Sequence, residues 1–210
     1  MTRIMGMDGL RYLQTWVDAS YAVHRDMLGH TGGVISLGRG TAIHGCSKQK
    51  INTKSSTESE VVGASDFLPY TIWASYFLSA QGYKLHRNIF YQDNTSAINM
   101  LKNGMSSSES KSRHIHIRYF FTKDVIEREN MEIIHCPTDE MIADFYTKPL
   151  QGKQFYTLRQ IIMGHGTVAA EERVGSEAKW TTDNHTKKVV SKVHRREVTK
   201  YGYKVSNNLR

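Results

Sequence analysis

Short mixed runs and longer helical patterns divide the chain. Leu13–Ala19, a short mixed run of apolar and polar residues, reads as a first strand. Val34–Leu37 and Thr41–Gly45 read as two more strands, joined by Gly38-Arg39-Gly40, whose glycines suit a tight hairpin turn. From Ser56 to Leu78 the pattern changes. Val61, Ala64, Leu68, Ile72 and Tyr76 recur three or four apart and predict a helix. Pro69 lies inside it; a ring that lacks an N–H and crowds the preceding turn predicts a kink or break there. A strand Ile89–Gln92 follows, then a helix Thr95–Lys102 stopped at Asn103-Gly104, and a serine-rich stretch Met105–Ser112 read as mobile. A helix Ile115–Glu127, a strand Met131–His135, a helix Asp139–Thr147 and an amphipathic helix Gln151–Met163 complete the pattern. Strands and helices in this order predict an α/β fold, a mixed sheet with helices packed on it.

Composition narrows the class. At 210 residues, 39% hydrophobic and 23% charged, the chain can build a core of ordinary size. Two cysteines exclude a disulfide framework and a four-cysteine zinc site. The longest uncharged stretch, Phe67–Tyr83, contains Pro69, Ser75, Ser79 and Gln81 and falls short of the ~20 apolar residues of a membrane span. No signal-peptide pattern opens the chain, so a reducing, intracellular setting without a membrane is expected.

The net charge of +8 suits an acidic partner, nucleic acid first. That charge is uneven. Residues 1–164 carry 18 Lys+Arg against 15 Asp+Glu, whereas residues 165–210 carry 10 against 5 and few large apolar side chains. We therefore read a short lead over 1–11, a domain over 12–163, and a basic tail over 164–210 that is largely disordered. The tail serves either as an electrostatic arm or as a solvated extension.

Acidic residues fall at the ends of these elements. Asp18 ends the first strand, Asp93 follows the strand Ile89–Gln92, and Asp144 lies in the late helix among Met141, Ile142, Ala143, Phe145 and Tyr146. An acid among apolar neighbours is costly to bury unless paired or bound to a cation, so three on separate elements of one sheet suggest a divalent-metal site. Each alone also reads as a strand-end or helix-cap aspartate. Hard Mg²⁺, which takes carboxylate oxygens and keeps waters, suits such a set and a phosphate substrate. A fourth acid comes from Ser55-Ser56-Thr57-Glu58-Ser59-Glu60. Residues two apart on a helix point about 200° apart, so Glu58 and Glu60 cannot both face one site. With Ser55 as N-cap, Glu58 completes a capping box and Glu60 faces the sheet; with Thr57 as cap, the roles reverse.

The residues also resemble a known family. Val17-Asp18-Ala19-Ser20, Ser47-Lys48-Gln49-Lys50 leading into Ser55–Glu60, Asp93-Asn94-Thr95-Ser96-Ala97-Ile98, Ser112–Arg118 and Ala143-Asp144-Phe145-Tyr146-Thr147-Lys148-Pro149-Leu150 recur in that order. Over about 12–163 this resembles the ribonuclease H domain of copia-type LTR retrotransposon polyproteins. The resemblance implies a ribonuclease H-like fold: a five-stranded mixed sheet, its first three strands antiparallel, with helices on both faces. It implies an endonuclease that hydrolyses the RNA strand of RNA–DNA hybrids, using two Mg²⁺ ions for which Mn²⁺ substitutes. Asp18, Glu60, Asp93 and Asp144 would be the catalytic, metal-binding acids. Ser20, Asn94 and Thr95 would meet the hybrid near its 2′-hydroxyls, and Lys48, Lys50, Lys54, Lys111, Arg113 and Arg118 its phosphates. It further implies reverse transcriptase and integrase segments in a parent polyprotein, of which this chain is a fragment, and a place in a cytoplasmic virus-like particle or the nucleus.

Other chemistries find less support. His114 and His116 fall on opposing helix faces, so with Cys46 or Cys136 they make no compact zinc set. Both thiols read as buried. Gly29, Gly32 and Gly33 match no phosphate loop, and no G-x-S-x-G turn exists. His135 belongs to its strand and receives no catalytic role. Beside the nuclease stands a second class, a catalytically inactive nucleic-acid-binding remnant that would bind in a salt-sensitive way without product. A transposase or integrase core, usually with three acids, fits the Ser55–Glu60 block less well.

Overall fold

The computed structural model describes residues 2–7, 11–103 and 113–166, all within the first of two compact units, Met1–Val168. The expected helix stop at Gly104, the Met105–Ser112 stretch and the tail from residue 167 lie outside the described residues. So do the side chains of Arg113, His114 and His116.

The elements run β1 (Gly6–Met7), β2 (Tyr12–Ser20), β3 (His30–Ser36), β4 (Gly38–Arg39), β5 (Thr41–Lys48), α1 (Ser56–Ala80), β6 (Arg87–Gln92) and α2 (Thr95–Asn103). They continue with α3 (Arg113–Arg128), β7 (Glu132–His135), a 3-10 turn Thr138–Glu140, α4 (Asp144–Thr147) and α5 (Gly152–Ile162). The main sheet has five strands in the order β5-β3-β2-β6-β7. β2, β3 and β5 pair antiparallel; β6 and β7 join parallel to β2. This is the ribonuclease H-like α/β sheet that the resemblance implied.

Helices cover both faces. Two neighbouring glycines of β3 show it, because side chains alternate across a strand. A Cβ on Gly33 would lie 2.3 Å from the Phe67 ring of α1, and one on Gly32 would lie 2.7 Å from Thr147 of α4. On the α1 side Leu13, Val17, Phe90, Val61, Leu68 and Leu101 form the core with α2 and α3. On the α4 side Trp16 stacks on Tyr91 with ring centroids 4.7 Å apart. Gly33→Ala should cost about 1–3 kcal/mol, because the Phe67 ring must leave its place in a packed core. A lowered melting temperature checks this; an unchanged one would contradict the packing.

Three expectations need correction. β3 begins at His30 rather than Val34, since Gly32 and Gly33 carry no side-chain alternation to reveal it. α1 runs unbroken through Pro69. Val61–Leu68 are held before the proline, and Thr71, Ala74 and Leu78 are buried after it, so packing on both sides outweighs the lost N–H. The helix expected over Asp139–Thr147 is instead a 3-10 turn and the four-residue α4, separated by Met141–Ala143. Met141 is extended, with φ −70° and ψ 98°, which ends the 3-10 turn, and Met141, Ile142 and Ala143 are all buried in the core between the two pieces.

The ends of the described chain pack onto this body. β1 pairs with β4, the Ile4 N–H donates to Met163 O at 2.9 Å, and Arg39 Nε donates to Gly164 O at 2.9 Å.

Candidate metal centre

β2 is the central strand, and β6 runs parallel beside it with Trp16 opposite Tyr91. Parallel strands end at the same edge, and extending that register by two residues sets Asp18 beside Asp93. Glu60 arrives from α1. Ser55 caps that helix by accepting the Glu58 N–H at 3.2 Å, while the Glu58 carboxylate accepts the Lys54 N–H at 2.7 Å. Glu58 thus serves the helix end, and Glu60 turns inward. α1 comes close to β2 there: a Cβ on Gly63 would stand 3.1 Å from that of Ala19.

Carboxylate oxygens of Asp18, Glu60 and Asp93 all lie within 4.8 Å of one another. Asp18 is 2% exposed and Glu60 5%. Asp144, 1% exposed, starts α4 and stands beside this group rather than within it. Lys148 Nζ joins the two sets, 2.7 Å from Asp144 Oδ1 and 3.5 Å from Asp18 Oδ1. A donor set made only of carboxylate oxygens fits a hard divalent cation, Mg²⁺ or Mn²⁺, rather than zinc, which favours nitrogen and sulfur.

Burial, and then the neighbouring charges, raise the pKa values of Glu60, Asp93 and Asp144. Burial pushes the Glu60 carboxyl well above the usual range, and the charges of Asp18 and Asp93 push the same way; hydrogen bonds from Gln92 and the Ala19 backbone oppose them. Asp93 is raised by burial and then by Asp18. Asp144 is raised to about 6, first by burial, although the Lys148 hydrogen bond holds it down. Burial would lower the Lys148 ammonium pKa, but the bond to Asp144 and the surrounding acids raise it.

Four supporting residues escaped the sequence reading. Gln92 is buried; its amide donates to Glu60 Oε2 at 3.2 Å, and its carbonyl accepts from the N–H groups of Asp93 and Asn94 at 2.8 and 3.1 Å. It therefore ties the helix acid to the turn that carries the strand acid. Thr147 Oγ1 donates to Asp18 and Thr138 Oγ1 to Asp93, the latter at 3.2 Å. Lys148 is the fourth. A polar residue at the buried end of a strand was the available signal for Gln92; the spacing of four from Asp144 was the signal for Lys148.

The remaining candidates lie elsewhere or have other contacts. Ser20 Oγ donates to Thr147 O at 2.8 Å, and Asn94 Oδ1 accepts the Ala97 N–H at 3.0 Å, capping α2; Thr95 is exposed at that helix's first residue. Lys48 pairs with Asp26 and Arg118 with Asp66. With Lys50 they line a groove of about 470 Å³ between β5, α1 and α3. Lys54 is exposed. Cys136 is buried, but Cys46 is exposed, because it sits on the sheet's edge strand rather than in the core. His135 has a ring nitrogen 3.1 Å from Asp93 O.

No protein-family model matches the chain. Over 154 residues, 73% of its length, it is 29% identical to the retrovirus-related Pol polyprotein from transposon TNT 1-94 of Nicotiana tabacum, covering 11% of that protein. It is 30% identical over 145 residues to the corresponding polyprotein from transposon RE1 of Arabidopsis thaliana, 68% of this chain and 10% of that one. It is 31% identical over 147 residues to the transposon Ty1-JR1 Gag-Pol polyprotein of Saccharomyces cerevisiae, 67% and 8%. The chain thus spans about a tenth of the length of these curated relatives.

Among solved structures it is similar to LC11 ribonuclease H1 isolated from compost, at 11% identity and a TM-score of 0.46, covering 64% of this chain and 91% of that one. The fold is read from the sheet order, not from that overlap. By sequence descent and by topology, the chain is a homologue of retrotransposon Pol polyproteins that folds as a ribonuclease H-like domain of the copia type.

Proposed function

We propose that the chain is a Mg²⁺-dependent endonuclease that hydrolyses the RNA strand of RNA–DNA hybrids, with Asp18, Glu60, Asp93 and Asp144 as its catalytic, metal-binding acids. The observation that carries this reading is the convergence of three carboxylates from β2, α1 and the turn after β6, their oxygens within 4.8 Å and two of the three residues almost wholly buried. So much negative charge out of water is unfavourable on its own, and a bound cation removes the penalty. A pair of Mg²⁺ ions there would activate a water and stabilise the oxygen leaving phosphorus.

The protein's own work is to fix the acids. Asp18 is set by its place on the central strand and by the Thr147 hydroxyl. Gln92 and the Ala19 backbone hold Glu60, and Thr138 holds Asp93. Residues 12–163 carry the activity, and the 1–11 lead and the basic 164–210 tail are accessory. Near the acids, Ser20, Asn94 and Thr95 are the groups we assign to the RNA strand, whose 2′-hydroxyl distinguishes it. Lys48, Lys50, Lys54, Arg113 and Arg118 are assigned to phosphates, which requires Lys48 and Arg118 to exchange their carboxylate partners for the nucleic acid. The likeness to Pol polyproteins supports neighbouring reverse transcriptase and integrase segments and an intracellular place in the element's replication.

The test is incubation of the protein with an end-labelled RNA–DNA hybrid and Mg²⁺ or Mn²⁺. Shortened RNA, intact DNA and full inhibition by EDTA are expected. Salt-sensitive binding with intact RNA under both metals would instead mark the chain as a non-catalytic remnant.

A further inference from the structure

Lys148 sits where a site for divalent cations least needs another positive charge. Its ammonium is 2.7 Å from Asp144 Oδ1 and 3.5 Å from Asp18 Oδ1, and both acids are almost fully buried while the lysine itself keeps a solvent-exposed side. Thr147 and Lys148 follow one another at the end of α4, so one short segment presents both a hydroxyl and an ammonium to the acids. Lys148 is extended, with φ −121° and ψ 142°, as the residue before Pro149 should be, and this stops α4. Its side chain can therefore turn toward solvent without unwinding the helix.

From this geometry, and resting on the metal-site reading above, we infer that Lys148 is the resident counter-ion of the metal-free site. It competes with divalent cations for Asp18 and Asp144 and is displaced from them when metal binds. It is a positioning residue. Without metal it bridges Asp144 to Asp18, and its release frees both carboxylates for the cation. A tethered cation always competes at high local concentration, so the lysine weakens metal affinity and keeps the acids from repelling one another while the site waits.

Isothermal titration of Mn²⁺ into the full chain without nucleic acid tests this. Lys148→Met should bind Mn²⁺ about tenfold more tightly than the unaltered protein, whereas Lys153→Met, on the exposed start of α5, should leave the affinity unchanged. Equal or weaker binding by Lys148→Met overturns the inference. The same gain in Lys153→Met also overturns it, by reducing the effect to net charge. Should Lys148→Met fail to fold, a crystal structure of the unaltered chain with Mn²⁺ decides. An Nζ–Asp144 separation beyond hydrogen-bond reach supports displacement; one still at 2.7 Å refutes it. Mn²⁺ binding at the acids with no difference between the proteins sinks only the role of Lys148. No binding by either sinks the metal-site reading as well.

Discussion

Asp18→Asn should lower the rate of RNA cleavage in an RNA–DNA hybrid by roughly 10³-fold, about 4 kcal/mol of transition-state stabilisation, while the protein still folds. Asp18 is the acid common to both halves of the site: it clusters with Glu60 and Asp93, and it shares Lys148 with Asp144. Asparagine keeps the size and one acceptor for the Thr147 hydroxyl but removes the charge that would bind a cation. A metal ligand is lost and nothing else in the sheet need move. Asp93→Asn should act in the same direction. The measurement is the initial rate on labelled hybrid beside a thermal melt of each variant. Near-normal cleavage by a folded Asp18→Asn protein would contradict the assignment.

Glu60→Gln should make the metal-free protein more stable. In EDTA at pH 8 it should raise the melting temperature by several degrees, about 1–2 kcal/mol, because a buried carboxylate facing Asp18 and Asp93 is replaced by a neutral amide. The pH dependence carries the sign. Glu60, Asp93 and Asp144 all have folded pKa values above their ordinary ones, Asp144 at about 6. The folded protein therefore binds protons more tightly than the unfolded chain. The contribution of these groups is fully present below the unfolded values near 4 and is lost as pH rises through the raised folded ones.

The stabilising effect of Glu60→Gln in EDTA should thus be small at pH 4.5 and grow toward pH 8. Saturating Mg²⁺ should reverse the order, since metal binding requires the deprotonated acids and rewards the unaltered protein. Cleavage should fall as pH drops below about 6, where protons occupy Asp144. Melting curves across pH, with and without metal, check each part. A Glu60→Gln protein less stable than the unaltered one in EDTA at pH 8 would mean that the acids do not strain the fold.

Much of this was legible in the residues. The Ser55 cap singles out one of two glutamates for the helix end, because two positions two apart cannot share a face, and the structure has Glu58 at the cap and Glu60 turned inward. The run Leu13–Ala19 was readable as a strand, and β2 is buried on both faces, which serve two cores. What could not be read came from tertiary contact. The Gly32-Gly33 pair looks like a turn in sequence, yet it is strand because helices close on it from both sides, where any side chain would collide. Pro69 signals a break only if the helix stands alone. Gln92, Thr147 and Lys148 carry at most a faint local signal: each matters because the fold brings it to an acid distant in sequence.

Anomalous diffraction from crystals soaked in saturating Mn²⁺ puts the central claim to the most direct test. Peaks about 2.1 Å from carboxylate oxygens of Asp18, Glu60 and Asp93 are the expected result. An empty carboxylate cluster, or manganese bound only elsewhere on the surface, would contradict it.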